Sequence, residues 1–249
     1  MFGLFKKKKN RSENAGKGAD QETKDLVLTS SLDRNVKTIR TLFEDVDILR
    51  VRFIENNYDR DLRYCIIYCD GVVNSDAINE NLIKPLMLSQ VCPSGDDFVD
   101  TVINRVVQLC DAKKIGSIPE IAEAVSYGNT ILFIEGQDQA ILLDTKAFQT
   151  RSVSEPDNEK GLLGPRDGFT ESLLGNLALI RRRMLTADLK MKSMILGART
   201  RTKIYVCYMD SLVNKQILAQ LYSRLNAIDI DGILDTNYIT EQIMDAPWS

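Results

Sequence analysis

Gly164-Pro165-Arg166-Asp167-Gly168 stands just ahead of a helical pattern that begins near Thr170. Backbone amides at a helix start, together with the Arg166 guanidinium, could converge there on an anion such as a carboxylate. The same residues also read as a tight loop, with Gly164 and Gly168 permitting the turn and Asp167 or Thr170 capping the helix. Gly164, Arg166, Asp167 and Gly168 are therefore the candidate ligand-binding residues. Their glycine spacing matches neither a phosphate loop nor a dinucleotide fingerprint. At the other end of that helix, Arg181-Arg182-Arg183 suits the negative end of the helix dipole. Glu155, Glu159 and Glu171 are available to pair some of these arginines, and those left exposed are candidates for docking a partner.

Other chemistries fare less well. The chain has no histidine, which removes the commonest general base and the commonest metal ligand together. Asp70, Asp210, Asp229, Asp231 and Asp235 could suggest an acidic site. Alternation offers a simpler explanation, with Ile228, Ile230 and Ile233 facing a core and Asp229 and Asp231 facing solvent or capping a turn at Gly232. The regular oxygen-ligand spacing of a calcium loop is lacking. No acid pair is singled out for catalysis, so we expect no enzyme, no metal and no cofactor.

The elements that must position these residues belong to a globular chain. With 249 residues, 44% apolar and 27% charged, it can bury one large or two small cores. Its longest apolar stretches, such as Ile131 to Ile134, are far short of the ~20 residues of a membrane helix. The leader Met1 to Arg11 carries Lys6 to Lys9 without the apolar run of a secretory signal, so the start of the chain is expected in the cytoplasm. That leader could touch an anionic lipid surface or serve as a solubilising tail. The first twelve residues hold five Lys or Arg and no acid, which leaves the rest more acidic than the net charge of −3 and argues against nucleic acid as a partner. Five cysteines, with Cys65, Cys69 and Cys207 in strand-like apolar runs, suit reduced, buried thiols.

Residues 1–25 lack apolar periodicity and are expected to be disordered. Helical spacing of Leu32, Val36, Ile39, Leu42 and Phe43 predicts a helix from Ser31 to about Glu44. Two strands follow over Ile48 to Ile54 and Leu62 to Cys69, the second apolar on both faces and hence central. Asp70-Gly71 breaks that strand, and a helical pattern from Ser75 should end or kink at Pro85. Asp96 to Cys110 predicts another helix. Ser117-Ile118-Pro119-Glu120 opens a short helix that ends near Gly128. Thr130 to Ile134 and Ala140 to Asp144 form a hairpin.

The second half repeats the order helix, strand, strand, helix. Tyr68-Cys69-Asp70-Gly71-Val72-Val73-Asn74 aligns with Tyr208-Met209-Asp210-Ser211-Leu212-Val213-Asn214, and Ser31-Leu32, Asn35, Ile39-Arg40 align with Ser172-Leu173, Asn176, Ile180-Arg181. We expect an α+β fold of two subdomains related by internal duplication, with an extra helix and hairpin in the first. The expected division is 26–150, a linker at 151–168, and 169–249, with a last helix over Tyr238 to Met244.

Arg151-Ser152-Val153-Ser154-Glu155-Pro156, Gly164-Pro165-Arg166-Asp167-Gly168-Phe169-Thr170-Glu171-Ser172-Leu173 and Ile180-Arg181-Arg182-Arg183 resemble the A subunits of GerA-type spore germinant receptors. So do Ile67-Tyr68-Cys69-Asp70-Gly71-Val72-Val73, Thr130-Ile131-Leu132-Phe133-Ile134-Glu135-Gly136 and Ile228-Asp229-Ile230-Asp231-Gly232-Ile233-Leu234-Asp235. The resemblance runs from about Ser31 to the end. It implies a hydrophilic N-terminal domain ahead of membrane helices, with Trp248-Ser249 near the domain edge. It also implies B and C subunits as partners in the spore inner membrane, with this domain soluble and facing the cytoplasm. The function implied is sensing a small polar germinant or relaying its binding at another subunit. The alternative is an assembly module that oligomerises the receptor, by self-association of A subunits, without a ligand of its own.

Overall fold

A computed structural model describes residues 27–91, 98–147 and 168–245. The chain divides into two compact units, and the division does not follow the chain in order. Unit 1 takes the residues up to Leu42 and then Leu49–Thr186, whereas unit 2 takes Phe43–Ile48 and everything from Ala187.

Unit 1 is built on a five-stranded antiparallel sheet. Its strands are β1 (Leu49–Glu55), β2 (Arg63–Cys69), β3 (Ala112–Ile115), β4 (Thr130–Ile134) and β5 (Ala140–Leu143), in the order β1-β2-β4-β5-β3. As its two apolar faces require, β2 lies inside the sheet, with Tyr64 to Ile67 and Cys69 buried. The helices of this unit are α1 (Leu32–Leu42), α2 (Ser75–Ile78), α3 (Lys84–Leu88), α4 (Phe98–Arg105), α5 (Ile118–Ser126) and α6 (Leu173–Arg183). Leu32, Val36 and Ile39 bury the expected face of α1. Ser117 caps α5, accepting the Glu120 amide at 3.3 Å, and Gly128 with φ +94° turns the chain out of it.

Two expectations need correction here. Pro85 neither ends nor kinks the helix at its own position; it sits in the first turn of α3, where its missing N–H costs little. The adjustment falls upstream, where Asn79–Ile83 forms a π-turn and Lys84 N–H reaches back to the Asn79 carbonyl. The Asn81 carbonyl, which a proline four residues on cannot satisfy, instead accepts the Gln108 amide at 3.0 Å. Secondly, the expected division assigns α6 to the C-terminal subdomain, whereas it clusters with unit 1 and buries Leu177, Ala178 and Arg181. A Cβ added at Gly71 would meet the Leu174 carbonyl at 3.2 Å, so this helix lies against the turn that follows β2.

Unit 2 carries a two-stranded sheet, β6 (Leu189–Leu196) and β7 (Thr202–Met209), with α7 (Lys215–Asn226) and α8 (Thr236–Ile243). Leu196, Leu225 and Ile233 form its small core, and Ile228, Ile230, Ile204, Val206 and Ile239 pack around it. Asp229 and Asp231 point to solvent and Asp235 caps α8, accepting the Asn237 amide at 2.7 Å. The alternation reading of these aspartates therefore holds.

The order helix, strand, strand, helix recurs with shared local devices. Leu49 faces Cys69 in the first hairpin as Leu189 faces Met209 in the second. Asn74 caps α2 and Asn214 caps α7. Asn35 clamps Thr29 through the Thr29 amide (3.0 Å) and carbonyl (2.6 Å), and Asn176 clamps Thr170 through the same two groups, each at 2.7 Å.

The cysteines divide by position. Burial pushes the Cys65 thiol up to about 12 and the Cys69 thiol to about 11, which keeps both protonated and inert. Cys207, expected to be buried, is exposed because its face of β7 is uncovered by the small unit 2 core, and Cys110 is exposed as well. Cys92 lies outside the described residues. Native-state alkylation followed by mass spectrometry should label Cys110 and Cys207 readily, whereas Cys65 and Cys69 should react only after denaturant is added.

Candidate functional site

The residues singled out from sequence fall in different places. Gly164, Arg166 and Asp167 lie outside the described residues, as do Glu155 and Glu159. Gly168 is half-buried at the entrance to α6. The cap of that helix is Ser172, accepting the Gly175 amide at 3.2 Å, rather than Asp167 or Thr170. Thr170 is held instead by the Asn176 clamp, so its amide is already used. The three arginines separate by face: Arg181 is fully buried and donates to the Thr186 carbonyl at 2.8 Å, while Arg182 and Arg183 are exposed. Successive residues on a helix point about 100° apart, which accounts for the split.

A polar cluster that sequence reading did not find lies in unit 2, where Phe43–Ile48 is strapped along the outer edge of β6. Val46 bridges Met191 in parallel, the Met191 amide donates to the Asp45 carbonyl at 2.9 Å, and the Asp47 amide donates to the Met191 carbonyl at 3.0 Å. Side chains then lock the strap from both sides of this backbone pairing. Lys192 donates to one Asp45 oxygen at 2.7 Å, and the Tyr208 hydroxyl donates to the other at 3.1 Å. Asp47 accepts both the amide (2.7 Å) and the hydroxyl (2.6 Å) of Ser193.

Asp45 adopts φ +58°, a conformation that costs most L-residues ~1 kcal/mol and that Asp tolerates better than most. A non-glycine residue held there is over-determined by its surroundings, and here the surroundings are the two donors on its carboxylate. Electrostatics agree with geometry. The hydrogen bond from Lys192 holds the Asp45 carboxyl below its usual range, partial burial opposes it, and the Tyr208 hydroxyl adds to the lowering. Lys192 is raised by the same bond. Burial pushes the Tyr208 hydroxyl well up, so it remains a donor. Lys190, beside them, is lowered by burial, with Asp210, Asp188 and Asp45 opposing that effect. The cluster contains neither an activated nucleophile nor a base with an open partner; its chemistry is that of a latch.

The only sequence signal for the strap is Glu44-Asp45-Val46-Asp47-Ile48, acids alternating with apolar residues between a helix and a strand. Alternation gives an extended segment but does not say which edge it joins.

Comparison with known proteins settles the family. The family model described as Bacillus/Clostridium GerA spore germination protein matches residues 37–249. The chain belongs to the GerA family. Among its relatives, the membrane protein YfkQ of Bacillus subtilis is 30% identical over 92% of this chain and 44% of its own length. Spore germination protein KA of the same organism is 28% identical over 97% of this chain and 46% of its own. The chain thus spans less than half the length of these GerA-family relatives. The N-terminal domain of the A subunit of the Bacillus megaterium spore germinant receptor GerK3 shares the fold, with a TM-score of 0.68 at 21% identity, covering 90% of this chain and 83% of that one. Among the described residues, no helix of this GerA-family chain is long and apolar enough to cross a membrane.

The latch has a signed pH dependence. Because Asp45 is held below its ordinary carboxyl value, its contribution is complete above the unfolded value near 3.8 and is lost as pH falls through the lower folded value. Asp45→Asn should be less stable than the parent by about 1 kcal/mol near pH 7, a modest figure because the site is part-exposed. The gap should begin to narrow near the unfolded value of 3.8 and close only once pH has fallen below the lowered folded value. Urea denaturation of both proteins across that range is the check.

Proposed function

We propose that this chain is the N-terminal domain of a germinant receptor A subunit, a non-enzymatic module that senses a small polar nutrient or relays its binding to the rest of the receptor. The parent protein acts in the spore inner membrane with B and C subunits, and this domain faces the cytoplasm. Family membership and the shared fold support the setting. One observation carries the relay: the strap that Asp45 and Asp47 fasten to β6 and β7 is continuous at both ends with α1 and β1 of unit 1. Fastening or releasing Asp45 changes a backbone conformation that α1 and β1 directly adjoin, so binding energy that favours one state is felt along the chain.

A second reading, assembly of receptor subunits without a ligand, is favoured by exposed apolar side chains. Leu212 and Leu234 are each 80% exposed and Ile217 63% exposed in unit 2. Arg182 and Arg183 remain the docking candidates of the basic run.

Two experiments separate these roles. Spores carrying Asp45→Asn or Lys192→Met in the full-length receptor should respond several-fold more slowly to nutrient at unchanged receptor level by immunoblot; an unchanged response would remove the latch from the relay. Sedimentation of the isolated chain should show a monomer at rising concentration, whereas reversible self-association weakened by Leu212→Ser and Ile217→Ser would favour the assembly reading.

A further inference from the structure

Two sets of basic side chains have no part in the strap or in the relay. One is on α1, where Arg34, Lys37 and Arg40 recur at every third position along the outer side of the helix. All three are exposed, and none takes part in an ion pair among the described residues. The acid within this face, Asp33, is drawn to Arg63 at 3.7 Å, and Glu44 lies beyond the end of the helix. The other set is in the leader, where Lys6 to Lys9 and Arg11 follow Phe2, Leu4 and Phe5 with no acid among the first twelve residues. Between the two, Glu13, Asp20, Glu22 and Asp25 outnumber Lys17 and Lys24, so the positive charge is concentrated at the two ends of this stretch. The chain is fixed just ahead of α1, where Val27 bridges Ser117 and the Leu28 amide donates to the Gly116 carbonyl at 3.3 Å.

The order of residue types in the leader says which anionic partner fits. A nucleic acid or an acidic protein surface would engage the lysines and leave Phe2, Leu4 and Phe5 in water. An anionic bilayer takes both, because apolar side chains settle at the boundary between headgroups and acyl chains while cations beside them meet the lipid phosphates. Either signal alone gives marginal, reversible binding, and the two together hold. The exposed cations of α1 then act at the same surface from the folded part of the chain, within the short range over which salt leaves them effective.

We propose that the leader and the outer side of α1 bind an anionic lipid surface. Phe2, Leu4 and Phe5 enter the headgroup boundary, Lys6 to Lys9 and Arg11 lie among the headgroups, and Arg34, Lys37 and Arg40 form the second contact. This contact presupposes the membrane setting proposed above and adds to it the face of unit 1 that is turned toward the bilayer.

The test is co-sedimentation of the whole chain with vesicles of equal parts phosphatidylglycerol and phosphatidylcholine, against vesicles of phosphatidylcholine alone. Binding is expected on the anionic vesicles only, and it should fall steeply as sodium chloride is raised. Lys6→Gln, Lys7→Gln, Lys8→Gln and Lys9→Gln together should weaken it by about a hundredfold or more. Phe2→Ser with Leu4→Ser and Phe5→Ser should weaken it by about tenfold or more. Arg34→Gln with Lys37→Gln and Arg40→Gln should cost about tenfold, with an unchanged circular dichroism spectrum showing that the fold is kept. No binding, equal binding to uncharged vesicles, or binding indifferent to salt or to the lysine changes would each overturn the proposal. Binding indifferent to the serine changes would overturn the insertion of the apolar trio, and indifference to the α1 changes would overturn the second contact. Vesicle binding is read on purified protein, so its failure removes this contact alone, whereas an unchanged nutrient response in Asp45→Asn spores bears only on the relay.

Discussion

The strap over Phe43–Ile48 is the constraint on which the two-unit organisation depends. A chain that leaves one compact unit for six residues and then returns must satisfy its backbone groups in the unit it visits. Here Asp45 and Asp47 supply the backbone partners of Met191 and, with their side chains, hold the neighbouring Lys192 and Ser193. Asp45 takes up a left-handed conformation within the strap, and its carboxylate offsets that local cost by gathering two donors. A glycine would relieve the backbone and lose the donors; an alanine would keep the strain and lose them too.

Much of unit 1 was legible because its periodicities are strong. The doubly apolar β2, the α1 face, the Ser117 cap and the β4–β5 hairpin all follow from local pattern, and local pattern is what tertiary packing used. The failures have physical causes. Strand β3 is the charged tetrapeptide Ala112-Lys113-Lys114-Ile115 at a sheet edge, where one neighbour and open solvent leave no apolar signature. The allegiance of α6 cannot be read from its amphipathicity, which shows that a face is buried and not what covers it. The strap is short, and its decisive feature is a single backbone angle. Of the candidate ligand loop, only Gly168 lies among the described residues, and the helix beyond it is capped by its own Ser172.

The hairpin register, the asparagine caps and the asparagine clamps on Thr29 and Thr170 recur in the two halves, while the expectation of a duplicated unit rests on the aligned sequence blocks. The surroundings differ. β2 gains β4 along its second edge and is buried on both faces, whereas β7 ends its sheet and leaves Lys203 and Cys207 in solvent. In unit 2 the strap combines buried Phe43, Val46 and Ile48 with a polar fastening made by Asp45, Asp47, Lys192 and Ser193. A polar fastening responds to solvent and charge more readily than a packed core does, which suits a segment expected to transmit a signal.

The π-turn at Asn79–Ile83 fixes the reading frame of the residues around it. Such a turn amounts to one extra residue in an otherwise α-helical run. Loss of a single residue there would restore ordinary helical winding and leave the faces on either side in phase, so Ile78 and Leu86 would both stay in the core. A residue gained or lost elsewhere in the run, with no such turn to absorb it, would rotate the flanking segment by about 100°. Natural length variation within this helical run should therefore fall at the π-turn.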